Sequence, residues 1–409
     1  MLSRAHKIFI VGIGGIGVSG LARVLRTAGK DISGSDLAPS ELTEALTKEG
    51  IAVAIGHRAE NLPRGCELLI YSAAVPPENP ERAEGGRRGI KEMSYAEALA
   101  EFAKDKFVIA VSGTNGKTTT TAMLGWIMER AGLDPTVVVG SEVLAWKSNA
   151  RIGKSRYLVI EADEYKRAFL NYHPDIAVIT NIAADHLDYY RDLADVQDAF
   201  REFAANVKPE GKLVAWSSEH FELQVPGKFN QDNASVAAAM ARALGIEEEV
   251  IRTALASFTG SWRRYEKVGK LGPADIISDY AHHPDGTTAT MQAAAGIYKP
   301  EKTLIVFQPH QHNRTKMLFR EFVKSFCESP QGDMIIVEIF EVAGREELAD
   351  QNISSEDLVG EIEKCGKNVK YAANLEEAEN KIRKAVNNYD AILFMGAGDI
   401  YKVANKLAT

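Results

Sequence analysis

The sequence predicts an α/β protein of three domains, each built on a mainly parallel sheet. Three observations carry that expectation. Short apolar runs alternate with helical patterns from end to end, as happens where strands are covered on both faces by the helices that connect them. Two of the strands run directly into glycine loops that open a helix, Gly12-Ile13-Gly14-Gly15-Ile16-Gly17 and Ser112-Gly113-Thr114-Asn115-Gly116-Lys117. Finally, 409 residues are more than one hydrophobic core ordinarily fills.

The first domain, 1–104, opens with a strand over 7–11, a glycine loop, a helix to about Gly29 and a second strand ending at Asp36. It closes with a helix over 94–104, and the polar pair Lys104-Asp105 reads as a linker. The second domain, 105–257, starts with a strand over 107–111, the second glycine loop and a helix from Lys117 to about Gly132. It continues through strands over 157–161 and 176–180 to helices that run from Asn230 through Gly245 to about Ala256. Thr259-Gly260-Ser261 has the composition of a second linker. The third domain, 258–409, has strands over 276–279, 303–307, 334–337 and 392–395 with helices between them. No internal repeat or low-complexity tract interrupts the pattern.

Composition narrows the function. With 45% hydrophobic and 25% charged residues the chain is an ordinary globular one. A net charge of −8 argues against a nucleic-acid partner, because phosphate-backbone binding leaves a basic footprint. No apolar stretch approaches a membrane span. The apolar start over 8–11 runs into glycines without a cleavage site, so a cytoplasmic protein is expected. Cys66, Cys327 and Cys365 stand far apart and in no CxxC spacing, and are expected to be reduced, buried or idle thiols.

The chemistry resides in the loops. Gly12, Gly14, Gly15 and Gly17 match GxGxxG between strand and helix, and Asp36 at the next strand's end stands where a ribose-binding carboxylate would lie. The pattern is Rossmann-like and fits a dinucleotide or another nucleotide diphosphate, with a purely structural tight turn as the plain alternative. The second loop lacks the first glycine of a full Walker A, having Val111 there. It keeps Gly113, Thr114, Asn115 and Gly116 to cradle phosphates, Lys117 to neutralise them, Thr118 to reach Mg²⁺, and then Thr119. Lys117 is expected to stand exposed at its helix start.

Glu161-Ala162-Asp163-Glu164 ends one strand and Asp185-His186-Leu187-Asp188 follows another. Acids at the carboxyl edges of parallel strands face a ligand crevice, and Mg²⁺ prefers oxygen ligands. Solvated loop charge is the plain reading of either motif taken alone. Asn230 and Asn233 either cap a helix or reach an adenine edge. Arg263 and Arg264 are surface charge or a phosphate clamp. His282-His283 has no further zinc ligands nearby, and adjacent residues in an extended turn point apart.

Taken in order, the glycine loop, GTNGKTTT, EADE, TNIAADHLDYY, NQDN, RRYE, DYAHHPD and FQPHQHNRT resemble the Mur ligase family over nearly the whole chain. Ser72-Ala73-Ala74-Val75-Pro76, Asn79-Pro80-Glu81 and the DYAHHP and FQPH motifs resemble its alanine-adding branch. The resemblance implies a UDP-binding Rossmann-like first domain, a central ATPase-type domain and a mobile, Rossmann-like C-terminal domain. It implies ATP-dependent joining of L-alanine to UDP-N-acetylmuramate through an acyl phosphate, in a monomer or weak homodimer. Lys117, Glu161, His186, Arg264 and Asp279 are the implied catalytic residues. Thr118, Glu161 and His186 are the implied Mg²⁺ ligands, and Gly113–Thr119 with Asn230 and Asn233 the implied ATP contacts. The first loop, with Asp36 and Ser72, is implied to hold UDP and not NAD, and His283 and Arg314 to meet the amino acid.

The chain departs from that branch at Asn115 and Phe229, where histidine is usual, and at Gln311, where some members have arginine. The segment 211–227 has lost short strands that the family normally spends there, so a trimmed central domain with an intact site is expected. Three rivals remain: a related ligase with another acceptor, such as a recycling peptide ligase or folylpolyglutamate synthase, an NAD-binding oxidoreductase, and an inactive nucleotide-binding regulator.

Overall fold

A computed structural model describes residues 1–186, 189–341 and 352–408. Three sheets follow one another along the chain. The first has β1 (Lys7–Val11), β2 (Asp31–Asp36), β3 (Ala52–Ile55), β4 (Leu68–Tyr71) and β5 (Lys91–Ser94) in the order β3-β2-β1-β4-β5, every pair parallel. Ile8 and Ile10 join Leu68 and Ile70 in one buried cluster, whereas Phe9 and Val11 join Leu69 in another. Burial on both faces is why β1 reads as an unbroken apolar run. Its chain leaves for β2 on one side while β4 lies on the other, so the loop after β1 opens at the point where the strand order reverses.

The second sheet has β6 (Phe107–Ser112), β7 (Thr136–Val143), β8 (Ser148–Arg151), β9 (Tyr157–Ala162), β10 (Ile176–Ile179) and β11 (Lys212–Val214), ordered β11-β10-β6-β9-β7-β8. Only the β7–β8 pair is antiparallel. β6 lies between β9 and β10, so the loop after it opens beside the ends of both strands. Residues 215–227, after the edge strand β11, contain no further strand before helix Lys228–Ala243.

The third sheet has β12 (Glu266–Leu271), β13 (Ala274–Asp279), β14 (Thr303–Phe307), β15 (Asp333–Val337), β16 (Asn368–Ala372) and β17 (Ala391–Met395). Their order is β12-β13-β17-β14-β15-β16, antiparallel only at β12–β13. No helix among the described residues is long and apolar enough to cross a membrane.

The three sheets form two compact units. The first comprises Met1–Gln224 and Asp232–Thr259, the second Val225–Gln231 and Gly260–Thr409. The first two sheets share a unit because the β7–β8 hairpin packs on helix Ile16–Thr27. Asn149 of β8 donates to Ser19 Oγ (3.0 Å) and to the Ile16 carbonyl. Buried Arg23 reaches Asn149 and binds the Glu49 carboxylate through Nε and Nη2.

One sequence expectation is corrected here. Cys327, at the end of helix Phe319–Cys327, is disulfide-bonded to Cys365, just past helix Ser355–Glu363. The two helices pack side by side and bring together cysteines 38 residues apart, a proximity no local spacing reveals. Cys66 alone remains a free, buried thiol.

Candidate functional site

In the first loop Gly12 and Ile13 donate their N–H groups to the Ser35 carbonyl, tying the loop to the end of β2. Gly14 N–H donates to Asp36 Oδ2 (2.8 Å), and Leu37 N–H to its Oδ1 (2.8 Å). Asp36 thus sits at the loop, as expected, and holds the loop's own backbone. Ser72, whose N–H donates to the Val11 carbonyl, packs so close to Gly12 that a Cβ there would lie 2.9 Å from its own. Gly12, Gly14, Gly15, Gly17, Asp36 and Ser72 are therefore brought together at the start of helix Ile16–Thr27. Its N-terminal N–H groups make such a place suited to anions.

The second loop is braced by the end of β10. Thr114 N–H donates to the Asn181 carbonyl, and Asn115 N–H to the Asn181 side chain. The Asn115 carbonyl accepts from Thr180 Oγ1 (2.6 Å) and Asn181 Nδ2 (3.0 Å). Gly116 has φ 84°, a left-handed conformation that other residues adopt at a cost, and the Asn233 amide occupies the space a side chain would need. Thr118 and Thr119 are buried, and Thr120 Oγ1 lies 3.4 Å from Asn233 Oδ1. Asn230 instead donates to the Pro226 carbonyl (2.7 Å), within the segment that belongs to the second unit.

Lys117 is not exposed. Its side chain retains 15% of its accessibility, and Nζ donates to the Gly113 and Thr114 carbonyls and to Glu164 Oε2 (2.7 Å). Sequence position alone could not show that Glu164, 47 residues later, folds back onto the loop. Burial favours the neutral amine, but Glu164, Asp163 and Glu161 outweigh it and hold the lysine charged. Burial likewise pushes the Glu164 carboxyl up to about 7, against the pull of Lys117.

The expected metal ligands fall into two neighbouring groups. Glu161 accepts from Gly140 N–H (2.7 Å) and, at 3.3 Å, from Thr118 Oγ1; a Cβ at Gly140 would lie 2.5 Å from its carboxylate. His186 stands with Asp163 and Glu164, their ligand atoms all within 4.8 Å of one another. Glu164 Oε1 is buried without a hydrogen-bond partner, 3.9 Å from His186 Nε2. A hydroxyl, carboxylates, an imidazole and one unsatisfied buried oxygen fit a hard divalent cation. Leu187 and Asp188 lie outside the described residues.

In the second unit, buried Asp279 accepts from Tyr265 N–H and Ala281 N–H, each at 2.7 Å. Burial raises its pKa, and the charge of Arg264 opposes that rise. Half-buried Arg264 lies over the Tyr280 ring. Sequence treats its neighbour Arg263 as equivalent, but that side chain is buried and donates to the Gly396 and Gly398 carbonyls after β17. Arg314 lies 3.3 Å from His310 Nδ1 and makes no ion pair among the described residues, with Glu321 or any other acid. His283 lies next in sequence to His282, whose ring meets that of His310. It caps helix Pro284–Ala295 through Asp285 N–H. The adjacent histidines do point apart. His282 is held neutral, its pKa pushed down to about 3 by burial and then by Arg314.

Family models match in three consecutive pieces: the Mur ligase family catalytic domain over residues 7–107, the Mur ligase middle domain over 111–221, and the Mur ligase glutamate ligase domain over 263–398. The chain is 37% identical to the UDP-N-acetylmuramate–L-alanine ligase of Carboxydothermus hydrogenoformans, over 98% of this chain and 96% of that one. The similarity to the enzyme of the same name from Caldicellulosiruptor saccharolyticus is also 37%, covering 97% of each. Both alignments, 449 and 448 residues long, exceed the 409 residues of this chain, so those relatives carry stretches that are missing here. Among solved structures, the UDP-N-acetylmuramate-alanine ligase of Thermotoga maritima superposes with a TM-score of 0.82 at 26% identity, covering 98% of each chain.

Proposed function

The chain belongs to the Mur ligase family, and from that premise we propose that it joins L-alanine to UDP-N-acetylmuramate at the expense of ATP, through an acyl phosphate. The observation that carries this reading is the pair of glycine loops within one compact unit: one backed by Asp36 and Ser72, the other by Lys117, Thr118 and Glu161. On this reading the chain works as three domains, 1–104, 105–257 and 258–409, in the cytoplasm.

An amine and a carboxylic acid form a salt at neutral pH, so the carboxylate oxygen must first become a leaving group. The first loop binds the UDP diphosphate on backbone N–H groups and the start of helix Ile16–Thr27. Gly113 to Thr119 cradle the ATP phosphates, with Asn230 and Asn233 toward its base. Lys117 turns from Glu164 to the phosphoryl group as the muramyl carboxylate attacks it, and neutralises the charge spread over that group. Thr118, Glu161 and His186 would hold Mg²⁺, which supplies further charge neutralisation at the phosphates. Arg314 pairs with the carboxylate of L-alanine, and His283 meets the incoming amino acid. The amine then attacks the acyl phosphate, and phosphate leaves with the original carboxylate oxygen. Arg264 and Asp279 order the carboxyl end of β13 for this step.

ADP release with UDP-N-acetylmuramate, with and without L-alanine, tests the reading. With ¹⁸O in the muramyl carboxylate, the released phosphate should carry label. Unlabelled phosphate would rule out the acyl phosphate.

A further inference from the structure

Tyr95 carries no motif, yet it lies against the first loop. It is the first residue of helix Tyr95–Ala103, and its neighbour Ser94 is fixed by a reciprocal cap. Ser94 Oγ accepts from Glu97 N–H, while Glu97 Oε2 accepts from Ser94 N–H (2.7 Å). The ring lies across the last glycine of the first loop. A Cβ on Gly17 would meet Tyr95 Oη at 2.8 Å and Cζ at 2.9 Å, so glycine at 17 is what admits the phenol.

Its helix packs against the segment Tyr165–Asn171, which directly follows Glu161, Asp163 and Glu164 at the end of β9. The phenol's pKa is raised by burial first, and then by the charges of Glu161 and Asp163. Its hydroxyl is therefore a proton-bearing donor at any physiological pH. Among the described residues that hydroxyl has no hydrogen-bond partner, although a half-buried tyrosine hydroxyl usually finds one. Glu161 and Asp163 repel an anionic substrate passing from the first loop to Lys117, and a neutral donor beside them offsets that repulsion.

We propose that Tyr95 binds substrate, its hydroxyl donating a hydrogen bond to an anionic oxygen of the nucleotide-linked acid where that molecule crosses from Gly17 toward Glu161. The assignment rests on the function proposed above. The oxygen belongs either to the diphosphate or to the sugar's carboxylate, and these share the same chemistry.

Tyr95→Phe keeps the ring and its contact with Gly17 and removes only the donor. Calorimetric titration of wild type and variant with UDP-N-acetylmuramate and with UDP, without ATP, separates the possibilities. The dissociation constant for UDP-N-acetylmuramate should rise about 10- to 100-fold, the usual effect of losing a hydrogen bond to a charged group. The KM for ATP and the unfolding midpoint should stay unchanged. Equal weakening for UDP assigns the bond to the diphosphate, and weakening confined to UDP-N-acetylmuramate assigns it to the carboxylate. Wild-type affinity in the variant, or a parallel loss of stability and ATP binding, overturns the proposal and leaves the ligase reading standing. A wild-type protein that neither binds UDP-N-acetylmuramate nor releases ADP with it overturns both.

Discussion

Lys117→Ala should abolish turnover and should also destabilise the fold in a pH-dependent way, because the lysine is the counter-ion of a buried acid. Glu164 keeps 2% of its side-chain accessibility, and Lys117 holds its Oε2 at 2.7 Å. Breaking a buried pair typically costs about 3–5 kcal/mol when the remaining charge has no escape. Here protonation is the escape. The carboxyl already lies at about 7, above its ordinary 4.5, so in the wild type this group's contribution to stability is fully present below about 4.5 and is lost as pH rises toward 7. Above 7 the wild-type acid ionises against Lys117 and the fall in its own contribution stops. Without the lysine the acid stays protonated to higher pH, so the fall continues at about 1.4 kcal/mol per pH unit. The gap between the proteins should be small at pH 6 and reach about 3 kcal/mol by pH 9. Trp126 and Trp146, both in the first unit, report its urea unfolding. Adding Glu164→Gln should erase the pH-dependent part of the gap. A gap of equal size at pH 6 and pH 9, or no effect of the second substitution, would refute the account.

Four further outcomes follow. Gly140→Ala puts a methyl 2.5 Å from the Glu161 carboxylate, so ADP release should fall at least about tenfold with the unfolding midpoint little changed; normal turnover would remove Glu161 from the site. Arg314→Ala should raise the KM for L-alanine and leave that for ATP alone, since a guanidinium is the natural partner of the amino acid's carboxylate. In an amino-acid panel, glycine and L-serine should be slow substrates, and a preference for a dicarboxylic or dibasic amino acid would overturn the specificity. Cys327→Ser opens a loop of 38 residues and should destabilise the second unit by about 2–4 kcal/mol, read from Trp262 fluorescence. A reductant should reproduce that loss in the wild type and add nothing in the variant.

What the sequence made legible was local. Strand β1 and both glycine loops announce themselves because burial on two faces demands a continuous apolar run and a tight approach to phosphate demands glycine at fixed spacing. The strands over 303–307 and 392–395 were legible for the same reason. The edge strands β3, β5 and β11 escaped notice. They are short and partly exposed, and Lys91-Glu92 and Lys212 carry charge where an apolar pattern would be sought. The residues alone leave Arg263 and Arg264 equivalent; the resemblance singles out Arg264, and packing shows its neighbour to be the buried anchor of the β17 loop. Glu164 was visible as one acid among four residues of EADE. Its bond to Lys117 depends on the β9 turn, which no spacing encodes.

The least legible feature bears most on function. The sequence places a linker at Lys104-Asp105, yet the first two sheets form one unit, joined by a contact between residues 126 positions apart. Arg23 and Ser19 belong to the helix that opens at the first glycine loop, and Asn149 belongs to the hairpin beside β9, which carries Glu161. Breaking that contact would leave Arg23 buried with one partner fewer, a loss that favours keeping the sheets together. The two glycine loops are thus held in one compact unit, and on the proposed function the substrate reaches from one to the other. That requirement suits a nucleotide diphosphate carrying a sugar acid. It disfavours a dinucleotide oxidoreductase with an unrelated phosphate loop, because such an enzyme has no reason to hold the two loops in register.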